Sequence, residues 1–222
     1  MDDIAVIIRN KNEANWIGHS IQSCLEFFNS PEIIVVDNKS TDESMEIVRS
    51  FRHDSSLTPD IRSYGEIKTI NIEEYTPGKA LNFAVKNVSK NNILILSAHA
   101  VITKIDNDFI QNKLNSFDCV FGKQIPVLRG KKIKPRYIWS HFTDKEEENM
   151  FSSLEDRYFI HNAFSFYKKS TLSDLPFDEE IQGKEDRLWA KALIDSGGKY
   201  LYTPRIECLH HYTLGGNTWI SK

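Results

Sequence analysis

Apolar runs and amphipathic segments alternate along the first half of the chain. "IAVII" (residues 4–8) predicts a β-strand, and over 12–28 Trp16, Ile17, Ile21, Cys24, Leu25 and Phe28 recur at helical spacing. "EIIVVDN" (32–38) predicts a second strand. "STDESMEIVRSF" (40–51) predicts a helix opened by a Ser40/Glu43 capping box and carrying Met45, Ile47, Val48 and Phe51. "IKTINI" (67–72) predicts a third strand, Pro77 a helix start ahead of Ala80, Leu81, Ala84, Val85 and Val88, and "NILILS" (92–97) a fourth strand. Strands separated by single helices imply right-handed βαβ units and a mostly parallel central sheet flanked by helices, an α/β fold.

After residue 105 the pattern loosens. "NDFIQNKL" (107–114) reads as a helix and "CVFGKQIPV" (119–127) as a strand, whereas 129–157 carries no clear period. That stretch holds a basic cluster, "RGKKIKPR", followed by an acidic one, "DKEEEN"; both read as solvated loop or as a loop that contacts an acceptor. Order returns with "FSFYKK" (164–169), a helix through "EDRLWAKALIDSGG" (185–198) ended by glycines, and a short strand pair in "KYLYTPRIECLHHY" (199–212).

Composition narrows the class. A chain of 222 residues, 40% hydrophobic and with net charge −3, fits one globular domain with an ample core. The balance of 28 basic and 31 acidic residues argues against a nucleic-acid binder. No apolar run reaches the roughly 18 residues of a membrane helix, and "MDDIAVIIRNKNE" lacks the order of a signal peptide, so a cytoplasmic location is expected. Cys24, Cys119 and Cys208 are widely spaced among apolar residues and read as free buried thiols.

The polar residues at the strand tips suggest chemistry. The first strand runs into Arg9, Asn10, Lys11 and Glu13, the second into Asp37, the fourth into Ser97 and His99. The carboxyl ends of parallel strands share one sheet edge, so these residues converge on a single crevice. Neither G-x-G-x-x-G nor G-x-x-x-x-G-K-[ST] occurs, so a nucleotide would be held by acids on base and ribose and by a metal or basic residue on phosphate.

The series "VIIRNKNEANWIGHSIQSCL", "EIIVVDNKSTDES", "PGKALNFAV", "LILSAHA", "GKEDRLWAKAL" and "ECLHHY" resembles, in order and spacing, glycosyltransferase family 2, inverting enzymes of the GT-A fold. It is most similar to a bacterial subgroup in which the usual Asp-x-Asp becomes Ser-Ala-His, with a downstream "HNA.S" and "PFDE...EDR.WA"; such proteins are linked to surface polysaccharide synthesis. The resemblance spans nearly the whole chain and implies one GT-A domain over 1–222, with a nucleotide-binding half (1–105) and an acceptor and catalytic half (106–222). It implies transfer of a sugar from a nucleotide-diphosphate donor, UDP favoured, to a glycan or lipid-linked acceptor, with peripheral association at the inner face of the membrane.

Residue by residue, the resemblance makes Arg9, Asn10, Lys11, Glu13 and Asp37 the nucleoside pocket and brings Lys79 to the diphosphate. It leaves Ser97 where a carboxylate would meet the ribose. His99 falls on the metal-binding carboxylate position and His210 on a histidine that closes the metal or diphosphate site, with His211 in reserve. An imidazole suits manganese better than magnesium; the alternative is direct contact of His99 with phosphate. Asp186 matches the base, Glu185 a positioning residue, and His161, Asn162 and Arg187 fall in the region of donor sugar and acceptor. Each has a plainer reading. Asp37 also suits a turn cap, Lys79 a solvated surface, Glu185 and Asp186 a helix N-terminus, and His161 and Asn162 buried hydrogen bonding. Trp189 reads as core, whereas Trp139 could stack on a sugar ring. Two rival functions are a sugar-nucleotide pyrophosphorylase, which would carry glycines directly after the first strand where this chain has none before Gly18, and a nucleotide-binding module without catalysis.

Overall fold

The computed structural model describes residues 3–51 and 67–214. In chain order the elements are β1 (Ile4–Asn10), α1 (Ile17–Phe27), β2 (Glu32–Asp37), α2 (Ser44–Ser50), β3 (Ile67–Asn71), α3 (Pro77–Asn87), β4 (Asn92–Ser97), β5 (Ala100–Lys104) and α4 (Asn107–Leu114). They continue with β6 (Cys119–Leu128), β7 (Lys131–Lys132), a 3-10 turn (Tyr137–His141), β8 (Glu147–Glu148), β9 (Phe151–Ser152), β10 (Arg157–Tyr158), β11 (Phe164–Lys168), α5 (Lys169–Asp174), α6 (Glu185–Asp195) and β12 (Tyr200–His211).

One mixed sheet organises the chain in the order β3-β2-β1-β4-β11-β6-β12-β5. Its first four strands run parallel, β11 enters antiparallel to both β4 and β6, and β12 runs parallel to β6. Alternation along each strand divides the core into two layers, because successive side chains face opposite sides. Ala5 and Ile7 join Ala80, Leu81, Ala84 and Trp189 on the α3/α6 side, while Ile4, Val6 and Ile8 join Ile17, Ile21, Cys24 and Ile110 on the α1/α4 side. Cys24, Cys119 and Cys208 are buried and free. Among the described residues no helix is long and apolar enough to cross a membrane.

The local expectations fail where a side chain found a stronger partner than the one its sequence neighbours offered. The Ser40/Glu43 capping box does not form: Ser40 Oγ donates to Asp37 Oδ1 at 2.6 Å, and Asp42 takes over the start of α2 by accepting from Ser44 N at 3.1 Å. The first helix begins at Ile17, since Trp16 N and Ile17 N turn back to the Glu13 carbonyl at 2.9 Å. "KYLYTPRIECLHHY" forms one strand instead of a pair. Pro204 removes one N–H and shifts the register between Thr203 and Glu207, but the strand continues along β6 on either side of the shift. The segment 129–157 is short strands and a 3-10 turn.

Candidate active site

Sheet register decides which tips meet. Asn10 pairs with Asp37 across β1 and β2, and Arg9 with Ser97 across β1 and β4, so all four stand on the carboxyl edge. Asn10 Nδ2 donates to Asp37 Oδ1 at 2.8 Å and to Ser44 Oγ at 3.0 Å, whereas its buried Oδ1 has no partner among the described residues. Asp37 also accepts from Ser40 N through Oδ2 at 2.9 Å, so the turn-cap reading of this residue is realised. Lys11 Nζ is drawn to the Asn38 and Lys39 carbonyls at 2.6 and 2.7 Å, tying the first loop to the second.

His99, between β4 and β5, is the centre of a second group. Its Nδ1 faces Glu13 Oε1 at 3.1 Å and its Nε2 faces His210 Nε2 at 3.0 Å. Glu13 Oε1 thus meets the imidazole and also accepts from Thr213 Oγ1 at 2.9 Å. His210 is fully buried; its Nδ1 faces Gln124 Oε1 at 3.0 Å, and Gln124 Nε2 is occupied by the His161 carbonyl at 3.2 Å. Trp139 meets the His210 ring edge-on at 5.0 Å between centroids, with His161 at 5.7 Å. Trp139 is 6% exposed, so it serves as the wall of this group, and no face is open for a sugar. His211 points to the other side of β12 and stacks on Trp16 at 3.8 Å.

These partners set the protonation pattern. Glu13 and Gln124 Oε1 can only accept, so each Nδ1 carries a hydrogen and, in the neutral pair, each Nε2 presents a lone pair. Two lone pairs 3.0 Å apart repel unless a proton or a metal ion lies between them. Burial pushes His210 well below the ordinary histidine range, and the neighbouring His99 and His161 push it further, which disfavours a proton there. Imidazoles oriented by acceptors on Nδ1 are usual metal ligands. The two residues therefore fit a divalent cation as a pair; among the described residues no third His, Cys, Asp or Glu completes a protein-only site.

The carboxylate pair opens α6. Lys184, with φ +61°, delivers the chain into the helix, and Glu185 and Asp186 are both buried. Glu185 Oε1 accepts from Arg9 Nη1 at 2.8 Å, linking α6 to the β1 tip. Burial alone would lower the Arg9 pKa, but Glu185, Tyr75 and Asp186 outweigh it and hold Arg9 above its ordinary value. Asp186 accepts from Asn162 N (3.0 Å) and Arg187 Nη1 (2.7 Å) at Oδ2 and from Arg187 N (2.9 Å) at Oδ1. Burial opposes ionisation of Asp186, yet Arg187 and the other partners prevail and keep its carboxyl below the usual range. Arg187 is fixed in turn by Glu155 Oε2 at 3.2 Å and the Phe159 ring at 4.4 Å. It braces Asp186.

The segment His161–Asn162 joins the two groups. His161 packs near His210, Asn162 N holds Asp186, and Asn162 Oδ1 accepts from Tyr167 Oη at 2.6 Å, leaving a buried Nδ2 without a partner among the described residues. Lys79 is outside both groups, with Nζ at Glu74 Oε2 (3.4 Å). The residues around it are structural. A Cβ on Gly78 would lie 2.0 Å from the Asp178 carbonyl, and Asn82 bonds Phe177 and Glu179, so "PGKALN" locks onto "LPFDEE". Sequence reasoning missed Gln124, Glu155 and Thr213. Only Gln124 carried a signal, a polar residue at a buried strand position.

Known proteins share this arrangement of elements. The chain is 29% identical to the minor teichoic acid biosynthesis protein GgaA of Bacillus subtilis over 98% of its length and 50% of that protein's. It is 25% identical to the GalNAc(5)-diNAcBac-PP-undecaprenol beta-1,3-glucosyltransferase of Campylobacter jejuni over 85% of its length and 59% of that protein's. The chain thus spans about half the length of the curated relatives it matches. In fold it is similar to S. aureus TarS 1-349 in complex with UDP-GlcNAc (TM-score 0.72, 20% identity, 100% of this chain and 62% of that one). It is also similar to GalNAc-T7 with UDP, GalNAc and Mn2+ (TM-score 0.70, 14% identity, 97% of this chain and 45% of that one). The sequence model of glycosyl transferase family 2 matches residues 5–175, from β1 to the end of α5, and the chain accordingly belongs to that family.

Proposed function

We propose that this chain transfers a sugar, with inversion, from a nucleotide-diphosphate donor to a hydroxyl of a glycan or lipid-linked acceptor in bacterial surface-polysaccharide synthesis. The observation that carries the reading is the meeting of an imidazole pair and an anionic carboxylate at one sheet edge, joined by His161–Asn162. Asn10 and Asp37 take the nucleoside, the unpaired Asn10 Oδ1 being an acceptor kept for it. UDP is favoured, in keeping with the UDP and UDP-GlcNAc complexes of TarS. His99 and His210 would hold a divalent cation, manganese before magnesium given two nitrogen ligands, and it would supply charge to offset the diphosphate.

Asp186 is the base. Three of its roughly four acceptor positions are filled, which leaves one on Oδ1 for an acceptor hydroxyl. As the hydroxyl oxygen bonds to the anomeric carbon, the bond from that carbon to the diphosphate breaks and the hydroxyl proton passes to Asp186. A carboxylate held anionic by Arg187 suits this step, because the hydroxyl becomes strongly acidic only as the new bond forms. Glu185 positions Arg9 at the edge of the donor site, and the free Nδ2 of Asn162 is a donor for the sugar or acceptor.

The test is thermal unfolding with UDP, GDP, CDP or dTDP, each with manganese and with chelator. A ligand at 100 times its dissociation constant adds about 2.7 kcal/mol. Stabilisation by one nucleotide only with manganese supports both the donor site and the ion; equal stabilisation in chelator assigns the imidazoles to phosphate directly. No response to any nucleotide refutes the reading.

A further inference from the structure

The hairpin that leaves the active-site edge has an unusual surface. From Cys119 to Thr143 the chain contains no Asp or Glu but six cations: Lys123, Arg129, Lys131, Lys132, Lys134 and Arg136. The last five are all exposed, and none forms an ion pair among the described residues. Lys123, nearer the site, is spent on Asp144. Exposed apolar side chains flank the five: Leu128 opens the hairpin, and Tyr137, 75% exposed, follows the last cation. The end of β12 adds exposed Tyr212 and Leu214, with Tyr212 N bound to the Val127 carbonyl at 2.8 Å.

Its position is set by β6. Gln124, which orients His210, lies four residues before Leu128, about 13 Å along a strand that runs outward from the carboxyl edge. The cationic surface and the mouth of the site therefore share one rim.

We propose that residues 128–137, together with Tyr212 and Leu214, form a docking surface for an anionic lipid bilayer. A cluster of four to eight Lys or Arg attracts an anionic leaflet, and tyrosine and leucine enter the headgroup boundary. A soluble polyanion would satisfy the cations but leave Tyr137, Leu128 and Leu214 in water. The apolar members decide for the bilayer. Docking by this rim turns the crevice toward the membrane plane, where a lipid-linked acceptor presents its hydroxyl; that consequence, unlike the docking itself, rests on the proposed transfer reaction.

The test is sedimentation of the full chain with phosphatidylcholine vesicles, with and without phosphatidylglycerol. Binding is expected only with phosphatidylglycerol and weakens as salt rises. Each cation removed lowers partitioning about fivefold, so the Lys131→Gln/Lys132→Gln double variant loses about 25-fold. Tyr137→Ser weakens binding further without changing its salt dependence. Equal binding to neutral vesicles, or a double variant that binds like the parent, overturns the proposal. So does a soluble polyphosphate that binds as tightly as vesicles and is indifferent to Tyr137→Ser, since the surface then serves an anionic polymer. Nucleotide-dependent unfolding of the same variants separates the two readings: vesicle binding without any nucleotide response leaves the surface standing and removes the transferase.

Discussion

Replacing Gln124 by leucine tests the electrostatics of the imidazole pair, because its two effects have opposite signs. In the parent, Gln124 Oε1 obliges His210 to carry its hydrogen on Nδ1 and to aim a lone pair at His99 Nε2, 3.0 Å away. Without the amide, the hydrogen in the neutral pair moves to His210 Nε2 and donates to His99 Nε2. The repulsion becomes a hydrogen bond, which offsets the Nδ1 acceptor now left facing leucine. The His161 carbonyl, which also loses Gln124, keeps Ser165 Oγ at 2.8 Å. Metal-free stability should therefore change by less than about 1 kcal/mol, against the 1–3 kcal/mol expected of an orphaned buried group. Ion binding must now reverse the tautomer, and losing such an orienting partner typically lowers metal affinity 10–100-fold, about 1.4–2.7 kcal/mol. Calorimetric titration of manganese, alone and with UDP, and chemical unfolding in chelator read the two quantities. A variant that binds manganese within twofold of the parent while losing 1–3 kcal/mol of stability would refute the reasoning. So would a parent that binds no manganese.

Three further outcomes follow from other parts of the molecule. Asp186→Asn should lower the transfer rate 10²–10⁴-fold, as expected for loss of a general base, while UDP still raises the unfolding midpoint; a variant that retains the rate removes Asp186 from the reaction. Gly78→Ala should destabilise by about 1–3 kcal/mol through overpacking, because its Cβ meets the Asp178 carbonyl and not a ligand, and UDP affinity in the folded fraction should stay unchanged. Burial holds the His161 pKa down to about 3. Between pH 6.5 and that value the unfolded chain binds a proton that the folded chain refuses, so stability falls on acidification at up to about 1.4 kcal/mol per pH unit. His161→Phe, followed by urea unfolding across this range, should flatten the slope by that amount.

What could be read from the sequence were the features that repeat or adjoin along the chain. The continuous apolar runs "IAVII", "EIIVVD" and "NILILS" with intervening helical periods sufficed for a parallel sheet, because burying both faces of a strand constrains every residue in it. The strand tips at Arg9, Asn10, Asp37 and Ser97 then follow from parallel topology alone. Tertiary structure decided the partners. That Glu13 meets His99, that Arg187 clamps Asp186 and that Trp139 walls in His210 depends on residues that local periodicity does not relate. Gln124 and His210 are 86 residues apart, and Arg9 and Glu185 176 apart. Hydrogen bonds and ion pairs are short-range and directional, so their strength depends on sub-ångström placement that only the packed β6, β12 and α6 provide; local periodicity carries no such information.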